Sequence, residues 1–444
     1  MALSGLEIYK HLPKTNCKKC GFPTCLAFAM AIAGKKVALD KCPDITEAAR
    51  TALDQASAPP IAMIEIGSGE NKVETGGEIV LFRHEKTFYH ETALAVKVSD
   101  TLDSESLLKK VQAINNLKFD RVGMTKQVNL IAVNNDSGDA ARFAGAVKAV
   151  AGASTLPMVL MSENPDAIEE ALKVCTAAKP LIYGATEVNY EKMAGIAGKN
   201  NCPLAVKAKG IEALATLSQK IMAMGFKNLV LDPVSESPVS RLHDFTQIRR
   251  MALKKNFRPF GFPIISVINA DGLNHVVEAA LNIVKYTDIM IIDTTKPEEV
   301  LPLITLRQNI YTDPQKPIMM EAKLYEVGSP GQNSPLIVTT NFSLTFFTVQ
   351  PEIEGSKVPA YLLITDSDGL SVLTAWAAEK FTAEVIAEAM KKAEMDKKVS
   401  HKKIIIPGYV AVLSAKLKEL TGWEVLVGPK EASGIPKYLK NTWK

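Results

Sequence analysis

Between residues 130 and 161 the sequence contains Leu130-Ile-Ala-Val-Asn134, then Ala140-Ala-Arg-Phe-Ala-Gly-Ala-Val-Lys-Ala149, then Met158-Val-Leu-Met161. The first and last segments are short and almost wholly apolar, as expected of strands that are buried on both faces. The middle segment carries its apolar residues at the three- and four-residue spacing of an amphipathic helix. A strand, a helix and a second strand in this order predict a parallel βαβ unit.

The same alternation continues from residue 93 to residue 294. Eight strand-like runs begin 23 to 37 residues apart, which is the length of one βα unit. Eight consecutive units predict an α/β protein with a central (β/α)8 TIM barrel over residues 58–325, and an open doubly wound sheet is the alternative. Two lead-in strands, Ile61–Ile66 and Ile79–Arg83, are expected before it. The eight runs are Ala93–Val98, Leu130–Asn134, Met158–Met161, Leu181–Gly184, Leu204–Ala208, Leu229–Pro233, Ile264–Asn269 and Ile289–Thr294.

A third block, residues 326–444, follows the Pro-rich connection Asp313-Pro-Gln-Lys-Pro317. Its strands alternate with helical patterns, which predicts a small Rossmann- or flavodoxin-like domain. The expected strands are Leu336–Thr340, Leu344–Val349, Ala360–Thr365, Lys403–Ile406 and Trp423–Val427, and the expected helices are one or two within Leu370–Lys392, then Tyr409–Leu420 and Ile435–Lys440. Ligands bind beyond the carboxyl ends of such strands, where loops carry Gly369, Gly408 and Gly434. The plain alternative is that these glycines only end strands and begin helices.

Four of the six cysteines lie near the amino terminus, as Cys17-x2-Cys20-x4-Cys25-x16-Cys42. Four thiolates within reach of one point are what a [4Fe-4S] cluster needs, so residues 1–57 are predicted to form a small cluster module. A helix, Leu26–Ala33, is expected after the loop and to end at Gly34. Zinc is the main alternative, although structural zinc sites usually pair two CxxC knuckles. A pair of disulfides would need an export signal, which the first residues do not resemble.

The composition and the absence of certain motifs argue against several classes of function. The chain has 444 residues, a formal net charge of +4 and 23% charged residues, which is typical of an ordinary globular protein and gives no reason to expect a nucleic-acid partner. No run is long and apolar enough to span a membrane, so a cytoplasmic protein is expected. Neither a GxGxxG after a strand nor a phosphate-binding GxxxxGK[ST] occurs. Polar residues follow the barrel strands, among them Asn134–Asp136, Ser162–Asn164, Asp232 and Asn269–Asp271, without forming a recognisable catalytic set.

The order of these three parts resembles one family, the large (gamma) subunit of the corrinoid iron-sulfur protein of the reductive acetyl-CoA (Wood-Ljungdahl) pathway of carbon fixation. The most specific element is Asn16-Cys17-Lys-Lys-Cys20-Gly21-Phe-Pro23-Thr-Cys25-Leu-Ala-Phe-Ala29 with Cys42-Pro43. Two C-terminal segments, Thr339–Phe346 and Asp368–Thr374, are similar to the family's corrinoid-binding region. The resemblance covers the whole chain.

The resemblance implies a methyl carrier, a methyltransferase component rather than a stand-alone catalyst. A cobalamin-type corrinoid would take a methyl group from methyltetrahydrofolate on a separate methyltransferase and pass it to acetyl-CoA synthase/CO dehydrogenase. The [4Fe-4S] cluster would reduce inactive Co(II) back to Co(I). A small subunit would complete a heterodimer with the corrinoid between the two chains.

Carried onto this sequence, the resemblance also implies site residues. The expected cluster ligands are Cys17, Cys20, Cys25 and Cys42, and the expected corrin contacts are Thr340, Phe346, Leu370, Ser371, Val372, Leu373 and Gly434. Because the chain has no DxHxxG motif, the cobalt is expected to be base-off and His-off. Hinges are expected at Ala58-Pro59-Pro60 and at Gly328–Gly331.

Three alternatives remain open at this point. One is a pterin-dependent barrel enzyme with an accessory cluster, which the polar residues at the strand ends would permit. Another is an electron-transfer protein without corrinoid. The third keeps the carrier role but places it in a methanogen complex that splits acetyl-CoA.

Overall fold

In this computed structural model the described residues are 5–33, 37, 39–46, 49, 53, 59–122, 124–269, 272–313 and 318–443. The expected helix end at Gly34, the hinge residue Ala58, most of the connection 313–317 and the residues Ala270 and Asp271 lie outside them. The chain forms two compact units. The first comprises Met1–Leu81, Tyr89–Asn115 and Asn129–Arg307, and the second comprises Phe82–Phe88, Asn116–Val128 and Gln308–Lys444. The three-part division at residues 57 and 325 stays a prediction.

The regular elements of the described residues are numbered in chain order. The strands are β1 (Met63–Ile66), β2 (Val73–Gly76), β3 (Ala93–Ser99), β4 (Lys118–Arg121), β5 (Met124–Gln127), β6 (Leu130–Asn134), β7 (Met158–Met161), β8 (Leu181–Ala185), β9 (Leu204–Lys207), β10 (Leu229–Asp232), β11 (Ile265–Val267), β12 (Ile289–Ile292), β13 (Leu324–Val327), β14 (Leu336–Thr340), β15 (Ala360–Thr365), β16 (Lys403–Ile406) and β17 (Glu424–Val427). The helices are α1 (Gly5–His11), α2 (Cys25–Ala33), α3 (Ser104–Asn115), α4 (Ala140–Ala153), α5 (Pro165–Cys175), α6 (Tyr190–Lys199), α7 (Ile211–Ala223), α8 (Pro238–Lys255), α9 (Gly272–Ile283), α10 (Pro297–Tyr311), α11 (Ser343–Ser356), α12 (Val372–Ala377), α13 (Ala383–Lys392), α14 (Met395–Lys398), α15 (Ser414–Thr421) and α16 (Ile435–Thr442).

The first unit contains the predicted barrel. Strands β3 and β6 to β12 form one parallel sheet in the order β10-β9-β8-β7-β6-β3-β12-β11. A parallel bridge between Leu231 and Ile264 joins the two ends of this sheet, so the barrel is nearly closed. Each strand is followed by one of the helices α3 to α10. Eight sequential βα units in a nearly closed sheet confirm the barrel and not the open sheet.

One lead-in strand was predicted wrongly. Residues 79–83 have no strand structure, and the second lead-in strand is β2, which pairs antiparallel with β1. The glycines at 76 and 77 have φ values of 87° and 71°, which turn the chain out of the ladder directly after β2. Arg83 then holds the segment by its side chain, whose Nε donates to the carbonyl of Ile310 at 2.8 Å. The apolar run at residues 79–83 therefore does not pair with a strand.

A buried ion pair lies in the first unit. Arg249 of α8 and Asp288, just before β12, are each 3% exposed and 3.7 Å apart. The Arg249 guanidinium stacks over the ring of Tyr286, 4.8 Å from its centroid, and Asp288 Oδ2 accepts a hydrogen bond from the backbone of Ile264 at 2.7 Å. Burial raises the pKa of Asp288 to about 6, although the charge of Arg249 opposes the shift.

This raised pKa predicts a specific pH dependence of stability. A carboxyl group whose pKa is higher in the folded state than in the unfolded state stabilises the fold while it is protonated. For Asp288 this stabilisation is complete below the ordinary pKa of 3.8 and is lost as the pH rises through about 6. We therefore expect the free energy of unfolding of the wild type, minus that of Asp288→Asn, to be about 2 to 3 kcal/mol higher at pH 4 than at pH 7. Denaturant unfolding at both pH values measures it. A difference that does not change with pH would contradict this assignment.

The second unit is built on one five-stranded sheet, in the order β13-β15-β14-β16-β17. Strands β14 to β17 are parallel, and β13 runs antiparallel to β15 at the edge. From β14 the chain crosses first to β15 on one side and then to β16 on the other, so the topological switch point lies between β14 and β16. Separate apolar cores cover the two faces of this sheet.

The predicted strand at Leu344–Val349 is wrong, because these residues lie in helix α11. Its aromatic and β-branched residues favour a strand, but their spacing is helical: Phe346, Val349 and Ile353 are buried on one face. Leu344 and Phe347, which lie on another face of the helix, are exposed. The predicted helical region Leu370–Lys392 is two helices, α12 and α13. No helix in the described part of the chain is long and apolar enough to cross a membrane.

Candidate cofactor sites

The four amino-terminal cysteines lie around a small apolar core. Cys25 begins α2, and Cys42 follows a short 3-10 turn; both are buried, Cys20 is half-buried and Cys17 is exposed. All four are free thiols. Cys25 and Cys42 pack in this core with Phe28, and Cys20 packs against it. Three of the four predicted ligands therefore share one apolar environment.

The loop before α2 has an unusual backbone. Lys14, Asn16 and Lys18 have φ values of 59°, 48° and 61°, in the left-handed region that residues with a side chain rarely adopt. The Asn16 side chain accepts a hydrogen bond from the backbone of Cys25 at 2.8 Å, which ties this loop to the start of the helix. Residues held in sparsely populated conformations cluster at ligand-binding positions.

The thiols are close enough to influence each other electrostatically. Burial raises the pKa of Cys42, and negative charge on Cys20, Cys25 and Cys17 raises it further. Among the described residues, no group of three or more His, Cys, Asp or Glu side chains is arranged to hold a single metal ion. In a [4Fe-4S] cluster each of the four cysteines binds a different iron, so the thiols do not need to meet at one ion. Four converging thiols of mixed exposure fit such a cluster.

The second unit has a cavity of about 370 Å³ at the switch point of its sheet. Its floor consists of the carboxyl-terminal parts of β14 and β16, and its walls come from α11, the start of α12 and the loop after β17. This is where ligands bind in open α/β sheets. The lining residues are Ile337, Val338, Thr339, Phe342, Leu344, Thr345, Thr348, Val349, Ser371, Val372, Leu373, Ile405, Ile406, Pro407, Tyr409, Gly428, Pro429, Lys430, Glu431, Ala432, Ile435, Tyr438 and Leu439.

Seven residues were predicted as corrin contacts, and the cavity brings some of them together. Three of them line it, namely Ser371, Val372 and Leu373. The other four do not: Thr340 and Phe346 are buried, Leu370 packs against an apolar core, and Gly434 lies against Pro429, where a Cβ would come within 2.8 Å of the proline Cβ. Contact of these seven residues with a corrin stays a prediction.

Sequence reasoning missed the face that α11 turns towards the cavity. The cavity is lined by Phe342 at its N-cap and by Thr345, Thr348 and Val349. Thr345 lies three residues after Phe342, and three and four residues before Thr348 and Val349. A helical interpretation of this segment would have grouped them, because residues at that spacing share one face. Because Leu344–Val349 was predicted as a strand, this wall of the cavity was not predicted.

Two adjacent buried threonine hydroxyls are unpaired, and one of the two residues lines this mainly apolar cavity. Thr339 is 2% exposed and lines the cavity, and its Oγ1 has no hydrogen-bond partner. The Oγ1 of its neighbour Thr340 is likewise unpaired. A buried hydroxyl without a partner costs about 1 to 3 kcal/mol. Such a group at a cavity wall is a candidate hydrogen-bond partner for a bound molecule.

Asn341 fixes the loop that brings the start of α12 to the cavity. It is buried, and its Oδ1 accepts hydrogen bonds from Ser367 Oγ, from the backbone of Ser367 and from the backbone of Gly369, at 2.7, 3.0 and 2.9 Å. Gly369, with φ of 70°, follows Asp368, with φ of 54°, so this loop is tightly turned. Asn341 thus positions the segment that carries Ser371.

Glycines at the opposite wall allow two loops to pass closely. A Cβ on Gly408 would lie 2.6 Å from the carbonyl oxygen of Gly428, and a Cβ on Gly428 would lie 3.0 Å from the carbonyl oxygen of Ile406. Gly408 therefore has a packing role. Next to Gly408, the hydroxyl of Tyr409 donates to Glu431 Oε1 at 2.6 Å, and this bond raises the pKa of Tyr409.

Exposed apolar side chains surround the opening of the cavity. We call six of them the apolar rim, three that line the cavity and three that lie one helical turn further along. They are Leu344, Phe347, Leu373, Trp376, Tyr409 and Val412, and their exposed fractions run from 41% to 69%. Apolar groups collected at one surface are typical of a protein interface.

Comparison with known proteins identifies the family. A family model described as "CO dehydrogenase/acetyl-CoA synthase delta subunit" matches residues 63–439, and one described as "Putative Fe-S cluster" matches residues 12–43. The second match contains all four amino-terminal cysteines.

Two relatives align over almost the whole chain. The corrinoid/iron-sulfur protein large subunit of Moorella thermoacetica is 54% identical over 441 residues and covers 99% of each chain. The acetyl-CoA decarbonylase/synthase complex subunit gamma of Methanothermobacter thermautotrophicus is 37% identical over 454 residues and also covers 99% of each. Among solved structures, the 7,8-dihydropteroate synthase of Vibrio fischeri ES114 matches 50% of this chain and 97% of its own, with 13% identity and a TM-score of 0.38, a likeness too weak to support a conclusion. The resemblance predicted from the sequence is confirmed: this chain belongs to the family of corrinoid/iron-sulfur protein large subunits and acetyl-CoA decarbonylase/synthase gamma subunits.

Proposed function

We propose that this chain is a methyl carrier that holds a corrinoid in the cavity of its second unit and a [4Fe-4S] cluster on Cys17, Cys20, Cys25 and Cys42. When bound, the corrinoid would supply a cobalt that accepts and releases a methyl group, and the cluster would supply low-potential electrons. The observation that carries the proposal is the apolar cavity at the switch point with the unpaired hydroxyl of Thr339 in its wall. An electron-transfer protein without corrinoid would leave both features unexplained.

The cavity residues would act on the corrinoid by packing and hydrogen bonding. The hydroxyl of Thr339 would donate to an amide carbonyl on the edge of the macrocycle. The hydroxyls of Thr345, Thr348 and Ser371 lie on facing walls and can bond other amides, while the apolar side chains exclude water. Among the described residues that line the cavity there is no histidine, in keeping with a base-off, His-off cobalt.

The apolar rim supports a partner chain on the open side of the cavity. A corrinoid held only by these walls would keep one face towards the solvent, and the rim would stay exposed at a cost in free energy. We infer that a small subunit covers both, as the name of the Moorella thermoacetica relative, a large subunit, suggests. We propose a methyltetrahydrofolate methyltransferase as donor and acetyl-CoA synthase/CO dehydrogenase as acceptor of the methyl group. A cytoplasmic location stays a prediction.

The cluster would serve the corrinoid by restoring its reduced state. Two buried thiols and two more accessible ones leave one side of the cluster near the surface, where electrons from an external donor can enter. Lys14 and Lys18 flank Cys17 in the sequence and add positive charge to this loop, whereas Lys19 is paired with Asp44 at 3.0 Å. A basic surface around a cluster attracts acidic electron-transfer proteins.

Thr339→Val tests the corrinoid site, because it should raise the stability of the corrinoid-free protein and lower its affinity for the corrinoid. Valine keeps the shape of threonine but removes the unpaired hydroxyl, so the corrinoid-free protein should become more stable by about 1 kcal/mol. Corrinoid affinity should fall by roughly threefold to tenfold, because one hydrogen bond to the ligand is lost. Denaturant unfolding and equilibrium binding measure the two quantities.

Thr287→Val is the matched control, because Thr287 also carries a buried, unpaired hydroxyl but belongs to the first unit. It should leave corrinoid affinity as in the wild type. The assignment of Thr339 is wrong if its valine variant binds the corrinoid as tightly as the wild type does.

A further inference from the structure

One ion pair near the amino terminus joins the two segments that carry the predicted cluster ligands. Lys19 lies between Cys17 and Cys20 in the sequence, and Asp44 lies two residues after Cys42. The Lys19 ammonium contacts both oxygens of the Asp44 carboxylate, at 3.0 Å and 3.1 Å. Each of the two charges is therefore within two residues of a predicted ligand, although the paired residues are 25 positions apart.

Both charges of this pair also interact with the cysteine side chains. Hydrogen bonds from the Lys19 ammonium and then from the Cys17 thiol lower the pKa of Asp44. Asp44 raises the pKa of Lys19, and negative charge on Cys17 and Cys42 raises it further. Lys19 and Asp44 are therefore both charged at neutral pH, and both lie close to Cys17.

A contribution to folding does not account for the position of this pair. The side chains of Lys19 and Asp44 are 58% and 34% exposed, and exposed ion pairs contribute little to stability because water screens their attraction. The cysteine loop is also held independently of the pair, because the Asn16 side chain accepts a hydrogen bond from the backbone of Cys25. The main effect of the pair is therefore on the electrostatic potential around the thiols.

The charge next to an iron-sulfur cluster is one determinant of its reduction potential. Reduction adds an electron to a group that four thiolates already make negative, so a nearby cation stabilises the reduced state and a nearby anion destabilises it. Cys17 loses its proton when it binds iron, and the Asp44 carboxylate then lies next to a thiolate. Asp44 also neutralises Lys19, a cation that would otherwise raise the potential.

We propose that the ion pair between Lys19 and Asp44 sets the reduction potential of the cluster, and that Asp44 is the residue that keeps this potential low. The inference rests on the proposed function, in which the four amino-terminal cysteines hold a [4Fe-4S] cluster. Neither residue binds iron, because each acts only through the charge that it places beside Cys17. A low potential is what the cluster needs in order to reduce Co(II), so the neutralisation of Lys19 serves the carrier role.

The test is a redox titration of the full-length chain, purified anaerobically with its small subunit and followed by electron paramagnetic resonance of the reduced cluster. Asp44→Asn keeps the shape of the side chain and leaves Lys19 unpaired, so the midpoint potential should rise. Lys19→Met leaves Asp44 unpaired, so the midpoint potential should fall. Each change should alter the ratio of reduced to oxidised cluster at a fixed potential by at least about threefold, or about 28 mV for a one-electron couple. The double variant should lie between the two single variants.

A second ion pair supplies matched controls. Glu74 of β2 pairs with Lys72 at 2.7 Å, on a segment that carries none of the four cysteines. Glu74→Gln and Lys72→Met remove the same two kinds of charge and should leave the midpoint potential as in the wild type. Asp44→Glu retains the negative charge and should also keep the wild-type potential.

Opposite shifts in the two single variants separate an electrostatic role from a structural one. A wild-type potential in either single variant, or shifts in the same direction, would overturn the proposal. Loss of iron from Asp44→Asn or Lys19→Met would overturn it as well, because the pair would then hold the cluster rather than tune it. Wild-type protein without an iron-sulfur cluster would instead contradict the proposed function itself, so the two failures are distinguishable.

Discussion

Cys20→Ala is expected to abolish reductive rescue of the corrinoid while sparing methyl transfer by protein that has been reduced beforehand. The change removes one of four thiolates, and a cluster that lacks a ligand loses iron or changes potential. Methyl transfer itself would use only the corrinoid cavity, which shares no residue with the cysteine loop. The rate at which a low-potential donor restores Co(I) from Co(II) measures the first effect, and a single methyl transfer from pre-reduced protein measures the second.

Cys202→Ala is the control for this experiment. Cys202 is a fully buried thiol of the barrel unit, and burial raises its pKa to about 11, so it is inert. Its alanine variant should keep both the iron content and the rate of rescue. Rescue of Cys20→Ala at the wild-type rate would refute the role assigned to the cluster.

Thr348→Trp is expected to lower the cobalt content of the heterodimer by at least about tenfold. Thr348 is exposed on α11 and lines the second unit's cavity, so an indole ring can occupy the cavity without disturbing the buried face of the helix. Because packed atoms exclude each other, the ring and a corrin macrocycle cannot share this space. Cobalt analysis of the purified complex, together with circular dichroism to verify the fold, measures the result.

Glu354→Trp provides the comparison, because Glu354 is exposed on the same helix and does not line the cavity. It should retain the wild-type cobalt content. A full cobalt content in Thr348→Trp would show that the corrinoid lies elsewhere.

The barrel was predictable because parallel strands buried on both faces leave a plain signal. Runs such as Leu130–Asn134 are almost wholly apolar, and the observed strand ends differ from the predicted ones by at most two residues. The cysteine spacing was equally informative, since few arrangements explain four thiols within 26 residues. Both signals are local in sequence.

The parts that could not be predicted depend on contacts between distant residues. The segment at Leu344–Val349 has strand-like composition, and only packing of Phe346 and Val349 against the sheet makes it a helix. The unpaired hydroxyl of Thr339 is a property of its surroundings and not of its residue type. The register shift between β8 and β9 at Gly184 likewise depends on the neighbouring strand.

Metal analysis of the purified complex shows whether this chain carries both cofactors. Protein purified anaerobically with its small subunit should contain about four irons and one cobalt per heterodimer, with the visible spectrum of a base-off corrinoid. Iron without cobalt would contradict the carrier role, and zinc in place of iron would contradict the cluster.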